Sequence, residues 1–134
     1  MATITQDMKD IEAKARLHII ATASKDGKPN GVPVAFAKII DDDTVMIVDT
    51  LMHKTRNNLG ENPRVAISFW SQEDHYGYQL KGKSSVETSG KFFDEAIKMI
   101  KERGSQSKPK SVILVKVDEA YYIGRGKDSS KNLI

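Results

Sequence analysis

Six β-rich runs, most of them separated by tight turn signals, constrain this chain more than any other feature. Residues 17–24 read Leu-His-Ile-Ile-Ala-Thr-Ala-Ser. Lys25-Asp26-Gly27-Lys28 follows, and Asp-Gly tolerates the positive φ angles that a hairpin turn needs. The second run, residues 31–40, is broken only by Pro33, and Asp41-Asp42-Asp43 turns the chain into the third, residues 44–49. Three consecutive strands on short turns predict an antiparallel meander. Residues 64–71 and 76–87 continue it, with Gly82 marking a bulge or bend. A last run spans residues 111–117 and resumes at 121–123.

Two helices flank these strands. Ile4, Met8, Ile11 and Ala15 recur at helical spacing and predict an amphipathic helix over 4–15. Phe92, Phe93, Ala96, Ile97 and Ile100 share one face of a second, with Ser89 as its candidate cap and Gly104 as its stop. Six strands closed by one helix between the fifth and sixth predict a mainly β fold, a small antiparallel barrel, as a single domain over 1–134. The β-α-β alternation of a doubly wound fold is missing.

Composition removes several function classes. Of the 134 residues, 39% are apolar and 29% charged, so the chain has enough apolar surface for a core. No run reaches the roughly 18 apolar residues that span a bilayer, and Met1–Lys9 lacks the plan of a secretory leader. There is no cysteine, hence no disulfide, thiolate metal site or cysteinyl cofactor link. These features fit a cytoplasmic protein without membrane contact. The net charge of +3 is mild, and the cluster Lys101, Arg103, Lys108, Lys110 has no interleaved aromatic residue, which argues against nucleic acid as a partner. His18, His53 and His75 lack metal-ligand spacing. Residues 124–127, Gly-Arg-Gly-Lys, fail the phosphate-loop spacing, and no nucleophile elbow is present.

Residues 49–63 stand apart. A β-branched run leads into Lys54 and Thr55, with Gly60 a candidate left-handed closing residue and Pro63 a stop. A strand running into a short helix brings free N–H groups and a positive dipole end together, so Lys54 and Thr55 there fit either a phosphate site or a solvated cap. Pro33, inside an apolar run, requires an edge, a bulge or a ligand lying against the backbone. If the second and third strands pair as a meander, residues 31–34 lie beside 49–51, and a planar, polar-edged ring could cross them while its phosphate reaches Lys54.

Taken together, residues 19–22, Asp26-Gly27-Lys28-Pro29-Asn30-Gly31-Val32-Pro33-Val34, Met52-His53-Lys54-Thr55 with Asn58, Asn62-Pro63-Arg64-Val65 and Leu80-Lys81-Gly82 resemble the FMN-binding split-barrel family, the pyridoxamine 5′-phosphate oxidase-like proteins and their small FMN-binding relatives. The resemblance covers roughly residues 9–123. It implies a six-stranded split barrel with flanking helices and non-covalent FMN, and a flavoprotein oxidoreductase or electron-transfer role. It further implies that Lys54 and Thr55, with His53 beside them, hold the phosphate, and that Asn58 adds a polar contact. Val32, Pro33 and Val34 would lie along the isoalloxazine, and Thr50 and Leu51 would line the same pocket. Family members are homodimers with FMN between subunits, so Tyr78, Gln79 and Lys81 are expected to approach from either chain. The long C-terminal part of the full oxidase, with its basic substrate-phosphate site, has no counterpart here, which argues against pyridoxamine phosphate oxidation. A flavin carrier or sensor without turnover, a barrel for deazaflavin or haem, and a nucleic-acid-binding barrel are the alternatives from other classes.

Overall fold

Residues 3–134 are described by a computed structural model; Met1 and Ala2, which open the segment read for a leader, lie outside it. The element order is α1 (Gln6–Lys14), β1 (His18–Ala23), β2 (Pro29–Val34), β3 (Ala37–Ile39), β4 (Thr44–Asp49), α2 (His53–Glu61), β5 (Arg64–Ser71), β6 (Tyr76–Glu87), α3 (Lys91–Glu102) and β7 (Ser111–Ile123). The strands form one antiparallel sheet in the order β2-β1-β5-β6-β7-β4-β3. Its two edge strands, β2 and β3, are neighbours in the chain, joined by Ala35 and Phe36. A sheet whose edges are so linked must curl toward closure, which gives the split half-barrel.

There are seven strands rather than the expected six, because residues 31–40 do not form one strand. Val34 pairs with His18 on β1, whereas Ala37 pairs with Ile47 on β4. The apolar run continues through this corner because both arms contribute to buried surface, so periodicity alone gives no sign of the break. The simple meander is corrected as well. The second neighbour of β1 is β5, that of β4 is β7, and β2 does not pair with β4. Pro33 sits on an edge strand, one of the places in a sheet where proline is tolerated.

Two layers of core result. Inward residues such as Ile20, Ile67, Phe69, Leu80 and Ile113 fill the barrel, and Ile4 and Met8 with Ile11 of α1 plug it. Every residue of β4 is buried, since both of its faces are covered. Val45 and Ile47 point inward, while Met46 and Val48 meet Ala96, Met99 and Ile100 of α3 on the outside. Each such side chain contributes roughly 1.5–3 kcal/mol of burial.

Turn chemistry sets the remaining boundaries. Thr5 caps α1 by accepting the Met8 N–H at 3.2 Å. Gly90, not Ser89, is the N-cap of α3. Gly104, at φ +73°, closes α3 with the Gly104 N–H on Lys101 and the Ser105 N–H on Ile100, a Schellman motif. The register of β6 on β7 shifts at Lys81/Gly82, and a Cβ on Gly82 would come within 2.0 Å of the Lys116 carbonyl oxygen. The bulge read from the sequence is therefore also a close backbone approach. No helix among the described residues is long and apolar enough to cross a membrane.

Candidate functional site

Helix α2 follows β4 after Thr50, Leu51 and Met52. The Asp49 carboxylate accepts the Met52 N–H at 3.0 Å and bends the chain out of the strand. Met52 is the N-cap but offers no side-chain acceptor, and the first turn contains no acidic residue. The amides of His53, Lys54 and Thr55 have no intrahelical acceptor, as in any helix start, and the helix dipole is positive at this end. Gly60 lies inside the helix and does not supply the left-handed stop. Asn62 ends the helix instead, extended at φ −145° before Pro63.

The buried face of α2, Thr55 and Leu59, turns toward the inner core. Two polar contacts fix its register on the sheet. Asn30 Nδ2 on β2 donates to Thr55 Oγ1 at 3.2 Å, and Asn58 Nδ2 donates to Thr22 Oγ1 on β1 at 3.1 Å. Accepting from Asn30 leaves the Thr55 hydroxyl proton for another acceptor. Lys54 lines an open cleft of about 220 Å³ between α2 and β2, with Lys28, Pro29, Asn30, Asn57 and Asn58. Its ammonium has no carboxylate partner among the described residues.

The other residues expected at the site divide into three groups. His53 is exposed and Thr50 half-buried, and Leu51 is 81% exposed, an unusual setting for a leucine, beside the start of α2. On β2, Val32 is half-buried and Pro33 exposed, but Val34 is a core residue whose side chain is enclosed, so only its backbone is available. Strands rise about 3.3 Å per residue, which puts Val34 roughly 13 Å along the strand from Asn30. The expected pairing of 31–34 with 49–51 is replaced by the Asn30–Thr55 bond as the link between β2 and the helix start. Lys81 stands apart from Lys54. It lies over the Tyr121 ring at 5.3 Å and lines a cleft of about 380 Å³ with Ala21, Arg64, Ala66 and Glu119. Gln79 is half-buried. Tyr78 points inward and donates to Asp7 at 2.5 Å; burial, then that hydrogen bond, pushes its ionisation up.

Thr22, Lys28 and Asn30 enter the sequence analysis only within longer motifs, and Asp49 only as the start of the stretch that leads into α2, none of them with a role of its own. Their signal was slight: a polar residue at an inward position of an apolar strand, twice, and a carboxylate ending a strand that is otherwise almost wholly apolar. Among the described residues no three His, Asp or Glu side chains are grouped to hold a metal.

The profile of the pyridoxamine 5′-phosphate oxidase family matches residues 4–124. An uncharacterised protein of Methanocaldococcus jannaschii is 34% identical over 131 residues, which cover 96% of this chain and 86% of that protein. Among solved structures, HupZ of Group A Streptococcus superposes with a TM-score of 0.82 at 29% identity, over 93% of this chain and 98% of that one. An FMN-binding protein of Syntrophomonas wolfei gives 0.78 at 16% identity, over 91% and 90%. The fold is not tied to one cofactor. An F420 reductase (TM-score 0.69, 15% identity, 87% and 98% covered) and a haem-binding protein of Mycobacterium smegmatis (0.70, 18%, 91% and 55%) share it. With the family profile spanning nearly the whole chain, this protein belongs to the pyridoxamine 5′-phosphate oxidase family.

Proposed function

We propose that this chain binds FMN non-covalently as a homodimer and works in the cytoplasm as a flavoprotein oxidoreductase or electron-transfer protein. The observation that carries the reading is the start of α2, where Lys54, the Thr55 hydroxyl and three open amides meet beside β2. A phosphate monoester is a dianion with several acceptor oxygens, and charge-assisted hydrogen bonds to it are about twice as strong as neutral ones. Lys54 and Thr55 would hold that phosphate, with His53 at the rim. Asn58 would act mainly by keeping α2 on β1. Backbone groups of Val32, Pro33 and Val34 would meet the polar edge of the ring, and Thr50 and Leu51 would shield it from water. FMN, when bound, supplies the electron acceptance and donation. This chain's part is to bind, orient and exclude water, and none of its residues is assigned as a general acid or base.

A second copy has a surface to meet. Ile19, Ala21 and Ala66 on the outer sheet are half-buried, and Trp70 is 44% exposed. Lys81 and Gln79 belong to the same sheet and are the residues a partner could bring to the ring, whereas Tyr78 is directed into the core.

The visible spectrum of the purified protein, before and after incubation with FMN, tests the reading. A flavin spectrum, with FMN released on denaturation, is expected. Failure to hold or take up FMN overturns the proposal, and a haem or deazaflavin spectrum would reassign the cofactor. Anaerobic titration of the loaded protein with nicotinamide donors then separates an oxidoreductase from a carrier.

A further inference from the structure

The corner between β4 and α2 holds a charge that the cofactor reading leaves unused. Asp49 is fully buried, at 0% exposure. Its Oδ1 accepts the Met52 N–H at 3.0 Å, and its Oδ2 accepts the Ser111 hydroxyl at 2.9 Å and lies 3.4 Å from Arg56 Nε. Its backbone carbonyl also accepts the Lys110 N–H at 2.8 Å. A carboxylate this enclosed is tolerated only when its oxygens are satisfied and its charge is matched.

The placement has a directional consequence. Helical side chains lean toward the N-terminus, so the Arg56 guanidinium folds back beside the open first turn, and Asp49 holds it there by one edge. The side chain is still 41% exposed and has no other carboxylate partner among the described residues. The same carboxylate fixes Met52, and hence the direction in which the amides of residues 53–55 point. An unmatched anion below a phosphate site would repel the ligand. Arg56 offsets it, so the helix start keeps a positive field.

We infer that Asp49 is a positioning residue for the phosphate end of the cofactor site, acting through the Met52 N–H and through Arg56, which it holds at the start of α2. The inference rests on the FMN reading of this helix start. Its readout is the preference for FMN over riboflavin, which isolates the phosphate, because both ligands carry the same ring.

Dissociation constants for FMN and riboflavin, from flavin fluorescence, are compared for wild type, Asp49→Asn and Arg56→Gln. Asparagine is close in shape: its Oδ1 can still accept from Met52, and its Nδ2 can donate to the Ser111 hydroxyl oxygen, but it releases Arg56. Both variants are expected to lose about tenfold in FMN affinity, the size of one charge-assisted contact, with riboflavin affinity nearly unchanged. A loss of affinity for both ligands in equal proportion would mean a structural role only and overturns the inference. So does an unchanged preference in Arg56→Gln, a half-exposed substitution that carries the test by itself if Asp49→Asn does not fold. Wild type that takes up no FMN overturns both readings, whereas wild type that binds FMN beside variants of unchanged preference overturns this one alone.

Discussion

Helices α1 and α2 have nine residues each and both pack on the inner core of the half-barrel, yet they use their polar groups in opposite ways. On α1 nearly every charge is engaged. Asp7 accepts from Tyr76 and Tyr78, Lys9 meets Asp42 at 2.6 Å, Glu12 accepts the Ile39 N–H at 2.7 Å, and Lys14 meets Asp74 at 2.8 Å. Its N-terminus is closed by Thr5. On α2 the side chains engaged with the sheet are the Thr55 hydroxyl, the Asn58 amide and Arg56 on Asp49, the N-terminus carries no side-chain cap, and Lys54 and His53 are exposed. Unpaired cations at an uncapped helix start contribute little to folding. The contrast therefore separates a helix that secures the barrel from one that is held by it and kept available.

The comparison breaks first if α1 proves dispensable. Ile11 is 2% exposed in the inner core, and Ile11→Ala is expected to destabilise the fold by about 3 kcal/mol, lost burial plus a cavity. Urea unfolding of the FMN-free protein measures this, and a cost well below that would mean α1 rests on the surface. The opposite pattern is expected on α2. Lys54→Ala should weaken FMN binding by about 10–100-fold while changing stability by less than about 0.5 kcal/mol. Unchanged affinity would place the phosphate elsewhere, and a large stability loss would make Lys54 structural.

What the sequence revealed follows the range of the interactions. β5 and β6 begin and end where the sequence reading put them, because Pro63 and the polar turn after Ser71 are local signals. The placement of Lys54 and Thr55 at a helix start after a strand was legible for the same reason: strand, helix start and cation lie within a few residues. The corner at Ala35–Phe36 was not, since it depends on which partner each half of the run finds. Neither were Thr22 and Asp49, which matter because Asn58 and Ser111 approach them from 36 and 62 residues away. Gly60 misled because glycine permits a helix to end without requiring it.

Two smaller effects sharpen the view of α1 as a secured element. Thr5→Ala removes the acceptor for the Met8 N–H and should cost about 1 kcal/mol in urea unfolding, with FMN affinity unchanged. The Lys14–Asp74 pair is weaker still. The hydrogen bond to Lys14, then that from Ser71, holds the Asp74 carboxyl below its ordinary value, and the hydrogen bond to Asp74 holds the Lys14 ammonium above its own. The carboxylate's contribution is present above the unfolded value, near 3.9, and is lost as pH falls through the folded one; that of the ammonium is present below about 10.4 and lost as pH rises past it. Both side chains are substantially exposed, so solvent and salt screen the pair. Melting temperatures of wild type and Lys14→Met should therefore differ slightly and constantly between about pH 5 and pH 9, and converge in acid once Asp74 is protonated. The gap should also narrow in about 1 M salt. A gap that survives both acid and salt would show that Lys14 acts through the packing of its methylene stem rather than through its charge.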